Sequence, residues 1–147
     1  METDIMPQYF ISKIDPSITL LAINRFEEIS DDRKDICDKE KYLQISAKRL
    51  KQGDCFRPHK HLNLIRETYI TQEAWIILSG SVRASFYDLD NSLIEDIILK
   101  SGDCAVVFQA GHSFEVLEEN TVLYEVKNGP YFGQERDKTF ISVQKEN

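Results

Sequence analysis

Residues 53–80 have the sequence GDCFRPHKHLNLIRETYITQEAWIILSG, which is the most informative stretch of the chain. His59 and His61 are two residues apart, so on an extended strand both imidazoles point to the same face. Glu73 opens an apolar run, and an unpaired carboxylate inside a buried strand is highly unfavourable. A divalent metal ion is the simplest partner that neutralises one carboxylate beside two imidazoles. The stretch therefore predicts a metal site inside a β-barrel.

The length and composition of the chain indicate one globular domain. Its 147 residues are enough for one core and too few for two. A hydrophobic fraction of 41% with 10% aromatic residues is ordinary for a soluble protein. No apolar run approaches the roughly 20 residues that span a bilayer. A net charge of -7 argues against general nucleic-acid binding, which needs a basic face. We therefore expect neither a nucleic-acid partner nor a membrane partner.

The cysteines predict a reducing environment. Cys37, Cys55 and Cys104 are odd in number and show no C-x-x-C spacing. Residues 1–10 are acidic and lack the apolar segment of a signal peptide. Free thiols in the cytoplasm are the simplest interpretation of both features.

From residue 42 onward, short apolar or alternating runs follow one another, separated by turn residues. The expected strands cover residues 42–50, 55–61, 72–79, 82–87, 93–99, 104–108, 112–117 and 121–127. One earlier strand is expected at 18–26, and the charged residues 27–40 are expected to form a loop or a short edge element. The polar tail leaves room for one last edge strand at 140–143. Many short strands without a long helical pattern predict an all-β sandwich or barrel.

His112 is the third and last histidine of the chain, and it opens a predicted strand directly after Gly111. Three imidazoles and a carboxylate suit Fe(II), Mn, Ni, Zn or Cu better than Mg or Ca, which prefer oxygen ligands. Four protein ligands leave one or two positions of a five- or six-coordinate ion open to water or substrate. The predicted metal ligands are His59, His61, Glu73 and His112.

These residues resemble the first motif of the cupins, G-x5-H-x-H followed by a short spacer and E-x6-G. Gly53, His59, His61, Glu73 and Gly80 match both halves of that motif. The resemblance covers residues 42–131. It implies a double-stranded β-helix (jelly-roll barrel) and the same four metal ligands. The ion that it implies is a divalent transition metal, Zn, Fe, Ni or Mn.

The second cupin motif, G-x5-P-x-G-x2-H, is matched more loosely by Gly102, Gly111 and His112. Its proline is absent, and His112 follows its glycine directly. The spacer before Glu73 is eleven residues long instead of three or four, so a longer loop is expected over the pocket mouth. Residues 57–61 and 125–131 look like those of the small WbuC-type cupins associated with bacterial surface-polysaccharide genes.

The resemblance divides the chain into three parts. Residues 1–41 form a short N-terminal extension with one or two edge strands, 42–131 form the cupin barrel, and 132–147 form a polar tail. Jelly-roll cupins tend to pair exposed sheet edges, and an N-terminal strand that can be exchanged fits that pattern. We therefore expect a homodimer.

Three residues are candidates for substrate binding. Arg57 shares the face of the two histidines and can bind a phosphate or carboxylate of a substrate, although an ion pair or a solvated rim position is the simpler explanation. Trp75 shares the face of Glu73 and can stack on a sugar ring or simply pack in the core. Tyr69 lies in the long loop and can close over a ligand or be an ordinary loop residue. No catalytic residue is assigned, because every histidine is used by the metal.

Two classes of function remain open at this point. The first is an enzyme acting on a sugar or sugar derivative by isomerisation or epimerisation, with a Glu, Tyr or Lys as the base. An iron-dependent dioxygenase is an alternative enzyme of the same class. The second class is a non-catalytic module whose metal-centred pocket captures a small molecule.

Overall fold

The computed structural model describes residues 6–143 and consists mainly of antiparallel β-sheet. The short helical elements are a 3-10 turn at Phe26–Glu28 and a single helical turn, α1, at Gln134–Asp137. The strands are β1 (Gln8–Ile11), β2 (Thr19–Asn24), β3 (Lys34–Asp35), β4 (Ser46–Ala47), β5 (Glu73–Ser79), β6 (Ser81–Tyr87), β7 (Leu93–Lys100), β8 (Cys104–Val107), β9 (Gly111–Val116) and β10 (Val122–Lys127).

Two of the sheets pack face to face. One has five strands in the order β1-β2-β8-β5-β10, and the other has three strands in the order β7-β6-β9. The core between them contains Trp75 and Ile77 from β5, facing Val82, Ala84 and Phe86 from β6. The alternation of buried and outward residues along β6 is the period-2 pattern of a strand with one buried face. The prediction of an all-β fold is confirmed.

The centre of the five-stranded sheet is buried on both faces. Its second face carries a smaller apolar cluster that includes Ala74, Val106 and Phe108. The two-stranded sheet β3-β4 and its flanking residues Ile36 and Ile45 pack on this cluster. Coverage on both sides explains why β8 is a continuous apolar run without polar alternation.

The chain passes repeatedly from one sheet to the other. Gly80 alone joins β5 in the five-stranded sheet to β6 in the three-stranded sheet, with φ at +77°. This left-handed conformation is favourable only for glycine. Residues 108–110 make another crossing, from β8 to β9. These crossings place side chains of β5 and β9 opposite each other between the sheets.

Each of the two packed sheets ends in a strand that has one neighbour. β9 pairs with β6, and β10 pairs with β5, so the outer edge of each strand has no strand beside it within residues 6–143. The register places His112 opposite the buried Phe86 and Lys127 opposite Glu73. His112 and Lys127 therefore both face the space between the sheets.

The structure also corrects several expectations. The strand expected at 42–50 is reduced to Ser46–Ala47, and the strand expected at 55–61 is absent because residues 48–72 have no regular structure. The tail forms the turn α1, and residues 140–143 form no edge strand. β1 was not expected from the sequence, and β2 is an interior strand of the five-stranded sheet rather than an edge.

The ends of the predicted outer parts, residues 1–5 of the extension and 144–147 of the tail, lie outside the described residues. Across residues 6–143, no helix has the length and apolar character needed to cross a membrane.

Candidate metal centre between the two sheets

Glu73 is the first residue of β5 and is a buried carboxylate, with 7% of its surface exposed. Trp75 lies two residues later on the same face, and its indole Nε1 donates a hydrogen bond to Glu73 Oε1 at 2.6 Å. A buried carboxylate needs such donors because its desolvation is expensive. The side chain of Glu73 therefore points inward, as the sequence predicted.

His112 approaches the same carboxylate from the opposite sheet. Its Nε2 lies 3.5 Å from Glu73 Oε2, and its Nδ1 lies 3.1 Å from the carbonyl oxygen of Ala110. A carbonyl only accepts hydrogen bonds, so Nδ1 carries the hydrogen. Nε2 is then the nitrogen that is free to hold either a proton or a metal ion.

A lysine completes this group of side chains. Lys127 Nζ lies 3.4 Å from Glu73 Oε2 and 3.0 Å from Glu125 Oε1. Both Lys127 and Glu125 belong to β10, whose register places them beside Glu73 and Trp75. From the sequence Lys127 was only a possible residue of the pocket rim, although its spacing of two from Glu125 along the last strand indicates that the two share a face.

The charges in the group determine its protonation. Burial raises the pKa of Glu73, but the hydrogen bonds from His112 and Trp75 and the positive charges of His112 and Lys127 outweigh it, so the pKa falls to about 2. Burial lowers the pKa of His112, yet its hydrogen bonds to Glu73 and Ala110 prevail and raise it. The bond to Glu125 is the main cause that raises the pKa of Lys127. Glu73 is thus an anion, and the ammonium of Lys127 and the imidazole of His112 lie beside it.

The separation of His112 Nε2 and Glu73 Oε2 is also compatible with two ligands of one metal ion. Two ligand atoms, each about 2.1 Å from a tetrahedral ion, lie about 3.4 Å apart. The 3.5 Å between His112 Nε2 and Glu73 Oε2 is close to that separation. The hydrogen bond from Nδ1 to the Ala110 carbonyl is the usual way in which a protein orients an imidazole ligand. One imidazole and one carboxylate of the predicted set therefore converge.

The other two predicted ligands lie elsewhere. His59 and His61 belong to a stretch in which every residue from 48 to 69 is exposed, and their ring centroids are 5.5 Å apart. His59 Nδ1 lies 2.9 Å from the carbonyl oxygen of Arg57, two residues earlier, which is the arrangement that His112 makes with Ala110. In the part of the chain that the structure describes, no three His, Cys, Asp or Glu side chains are grouped closely enough to hold a metal ion.

The predicted substrate-binding residues also separate. Trp75 is buried and packs against Phe86 and Phe114, with ring centroids 6.1 Å and 5.0 Å away, so it is a core residue that also contacts the site. Arg57 is exposed in the same stretch as the two histidines. Tyr69 is exposed and forms an edge-to-face contact with Tyr42. Only Trp75 of the three lies beside Glu73.

An open cavity of about 730 Å³ adjoins the group. Glu73, Trp75 and His112 form part of its wall, and Phe140 and Ile141 of the tail form another part. A cavity of this size fits a small metabolite.

Comparisons of the chain with protein-family models, with curated proteins and with solved structures found no match.

Proposed function

We propose that the chain is a metal-binding cupin whose centre consists of Glu73, His112, His59 and His61. The observation that carries the proposal is the meeting of Glu73 Oε2 with His112 Nε2 at 3.5 Å beside an open cavity. Glu73 and His112 come from two separate motifs that resemble cupin motifs, and they lie together although 38 positions separate them in the sequence. Two further imidazoles would complete a ligand set typical of Zn, Fe, Ni or Mn.

The fold that accompanies this proposal is a jelly-roll barrel. Two packed antiparallel sheets with repeated crossings between them are compatible with it. The barrel would be completed if residues around 55–61 added a strand beside β9, the edge strand that carries His112. His59 and His61 would then share the inner face with His112, because residues two apart on a strand point the same way.

We further propose that the protein isomerises or epimerises a sugar derivative. A bound divalent ion supplies Lewis-acid polarisation of a carbonyl or hydroxyl pair. Lys127 is an ammonium group beside the centre, so it can donate a hydrogen bond to an oxyanion that forms there. Glu125 contacts Lys127 at 3.0 Å and is half exposed, so its carboxylate can accept a proton from substrate carbon. The presence of Lys127 and Glu125 beside the centre favours an enzyme over a binding module, because binding alone requires no acid or base.

Solvent deuterium exchange tests the enzymatic part. Sugar phosphates and nucleotide-linked keto sugars are incubated with the metal-loaded protein in D₂O, and proton NMR follows loss of the signal next to the carbonyl. We expect exchange with the wild type and a loss of at least about 100-fold in Glu125→Gln, as for removal of a general base. The control is Glu95→Gln, which changes an exposed glutamate of β7 on the far edge of the three-stranded sheet. Full metal loading without exchange of any substrate would contradict the enzyme and leave a binding module.

A further inference from the structure

The residues from 48 to 69, here called the exposed segment, have no regular structure and expose several large apolar side chains. Leu62, Ile65 and Tyr69 expose 77%, 95% and 84% of their surfaces, and Phe56 and Leu64 are also exposed. Single exposed apolar residues are common, whereas several within the eight residues 62–69 indicate a surface that binds another surface. The exposed segment therefore lacks the partner that would bury it.

A matching surface lies along β9 and β10. Each strand has one unoccupied edge in the described structure, so a row of backbone N–H and C=O groups is available to a further strand. Phe114, Val116 and Val122 add exposed apolar side chains beside these edges. A strand placed there would form backbone hydrogen bonds and bury apolar surface together.

The charges of the two surfaces are opposite. Residues 48–69 contain six basic and two acidic residues, a formal charge of +4. Residues 111–127, which span β9 and β10, contain four acidic residues and one basic residue, a formal charge of -3. Opposite charges favour the encounter of these surfaces over encounters of either surface with itself.

The partner that fits is a second copy of this chain. Within one chain the segment and the strand edges remain apart, since every residue of the segment is exposed and both edges are bare across residues 6–143. Two copies related by a twofold axis can satisfy both surfaces at once, because each copy offers one segment and one pair of edges. Exchange also closes the assembly at two copies, because the segment and the β9 edge of each copy are then occupied by the other copy.

We propose that the chain forms a dimer in which each copy lays its exposed segment along β9 of the other. The exchanged strand carries the partner subunit's His59 and the partner subunit's His61 towards Glu73 and His112. The part of the inference that concerns the metal therefore rests on the proposed function. Each centre is then built from two chains.

Sedimentation velocity tests the exchange without any metal. We expect a wild-type dimer and a monomer, at least tenfold weaker in self-association, for the double variant Leu62→Asp, Ile65→Asp. Both side chains are exposed in the single chain. Because the two positions are three residues apart, they point to opposite faces of a strand, so one of them faces the partner whichever face is buried. Leu93→Asp, on the far edge strand β7, is the control that stays dimeric. A monomeric wild type, or a double variant that remains a dimer, would overturn the exchange.

Mixed dimers test which chain supplies the histidines. Glu73→Ala protein and His59→Ala, His61→Ala protein are unfolded together, refolded, and loaded with Zn²⁺ or Ni²⁺. With exchange, each mixed dimer has one intact centre out of two, and about half of the dimers are mixed. The mixture is therefore expected to bind about one quarter of the wild-type metal. No metal in the mixture, with full metal in the wild type, would overturn the exchange while leaving the proposed metal centre in place. No metal in a wild-type dimer would contradict the proposed function and leave the exchange supported by sedimentation.

Discussion

At the level of single residues, Glu73 determines the character of the site. Three donors surround its carboxylate: the indole of Trp75, the imidazole of His112 and the ammonium of Lys127. Hydrogen bonds to a charged group contribute about 1.5–3 kcal/mol each, which is enough to offset the burial of one carboxylate. These contacts stabilise the ionised Glu73 without a metal ion, and a metal ion would bind between Glu73 and His112 Nε2.

The lowered pKa of Glu73 predicts an acid-sensitive contribution to stability in the metal-free protein. Because the folded-state pKa lies at about 2, below the usual 4.5, the contribution is complete above pH 4.5 and is lost as the pH falls towards 2. Its size is up to about 3 kcal/mol. Urea unfolding of the wild type and of Glu73→Gln, between pH 6 and pH 2.5, measures it.

The expected result is a difference in unfolding free energy that shrinks as the solution is acidified. The amide side chain of the Glu73→Gln variant keeps an oxygen that can accept the Trp75 hydrogen bond, so the variant isolates the charge. Parallel pH dependence of the two proteins would show that Glu73 has no lowered pKa.

The predicted role of Arg57 is to bind an anion with its side chain. If the exposed segment closes over the cavity, Arg57→Ala should weaken binding of inorganic phosphate by about tenfold or more and leave metal content unchanged. Titration calorimetry on the metal-loaded protein measures this. Arg49→Ala is the control, since Arg49 donates to the carbonyl of Ile29 instead. Equal phosphate affinity in the wild type and Arg57→Ala would reduce Arg57 to a surface residue.

At the level of elements, the sequence predicted the strands from β5 to β10 to within one or two residues. The reason is local: β6 alternates buried and outward side chains, and glycine, asparagine or aspartate separates most neighbouring strands. β8 was recognisable as a short apolar run bounded by turns. Here local pattern and tertiary environment agree, which is the condition under which sequence reasoning succeeds.

The same reasoning failed between residues 42 and 61. A strand forms only when another strand pairs with it. The sequence of residues 55–61 favours an extended backbone, but it does not indicate which strand would pair with it. β1 was missed for the opposite reason, because pairing with β2 makes a strand of the short run Gln8–Ile11. Long-range pairing is the information that a local pattern does not contain.

Gly80 gives a test of the crossing that brings the two sheets together. A Cβ built there lies 2.9 Å from Thr121 Cα, and φ is positive, so Gly80→Ala introduces both a clash and strain. We expect a loss of about 1–3 kcal/mol in unfolding free energy, measured in urea. Gly53→Ala is the matched control, because Gly53 also has positive φ but no neighbour within 4 Å. A loss as large in Gly53→Ala would contradict this explanation.

At the level of the whole molecule, the N-terminal residues belong to the body of the protein. β2 is an interior strand, and its residues Leu20, Leu21 and Ile23 are in the core. The predicted division into an extension and a barrel therefore describes the motif pattern better than it describes the packing. The core itself is continuous between the two sheets.

About half of the candidate site could be predicted from the sequence. The inward position of Glu73 and the strand that starts at His112 followed from charge and spacing. The role of Lys127 did not, because a lysine near the end of a chain is usually solvated, and only the pairing of β10 with β5 places it beside Glu73. His59 and His61 lie in the exposed segment, away from Glu73 and His112, so their predicted place in the site stays a prediction.

The metal content of protein purified without added metal tests the central proposal most directly. We predict about one transition-metal ion per chain in the wild type and in Lys60→Ala, because on the proposed strand the Lys60 side chain would face away from those of His59 and His61. We predict no bound metal in Glu73→Ala or His59→Ala, with circular dichroism showing a folded β-protein in each. Full occupancy in either of these two variants would contradict the metal centre.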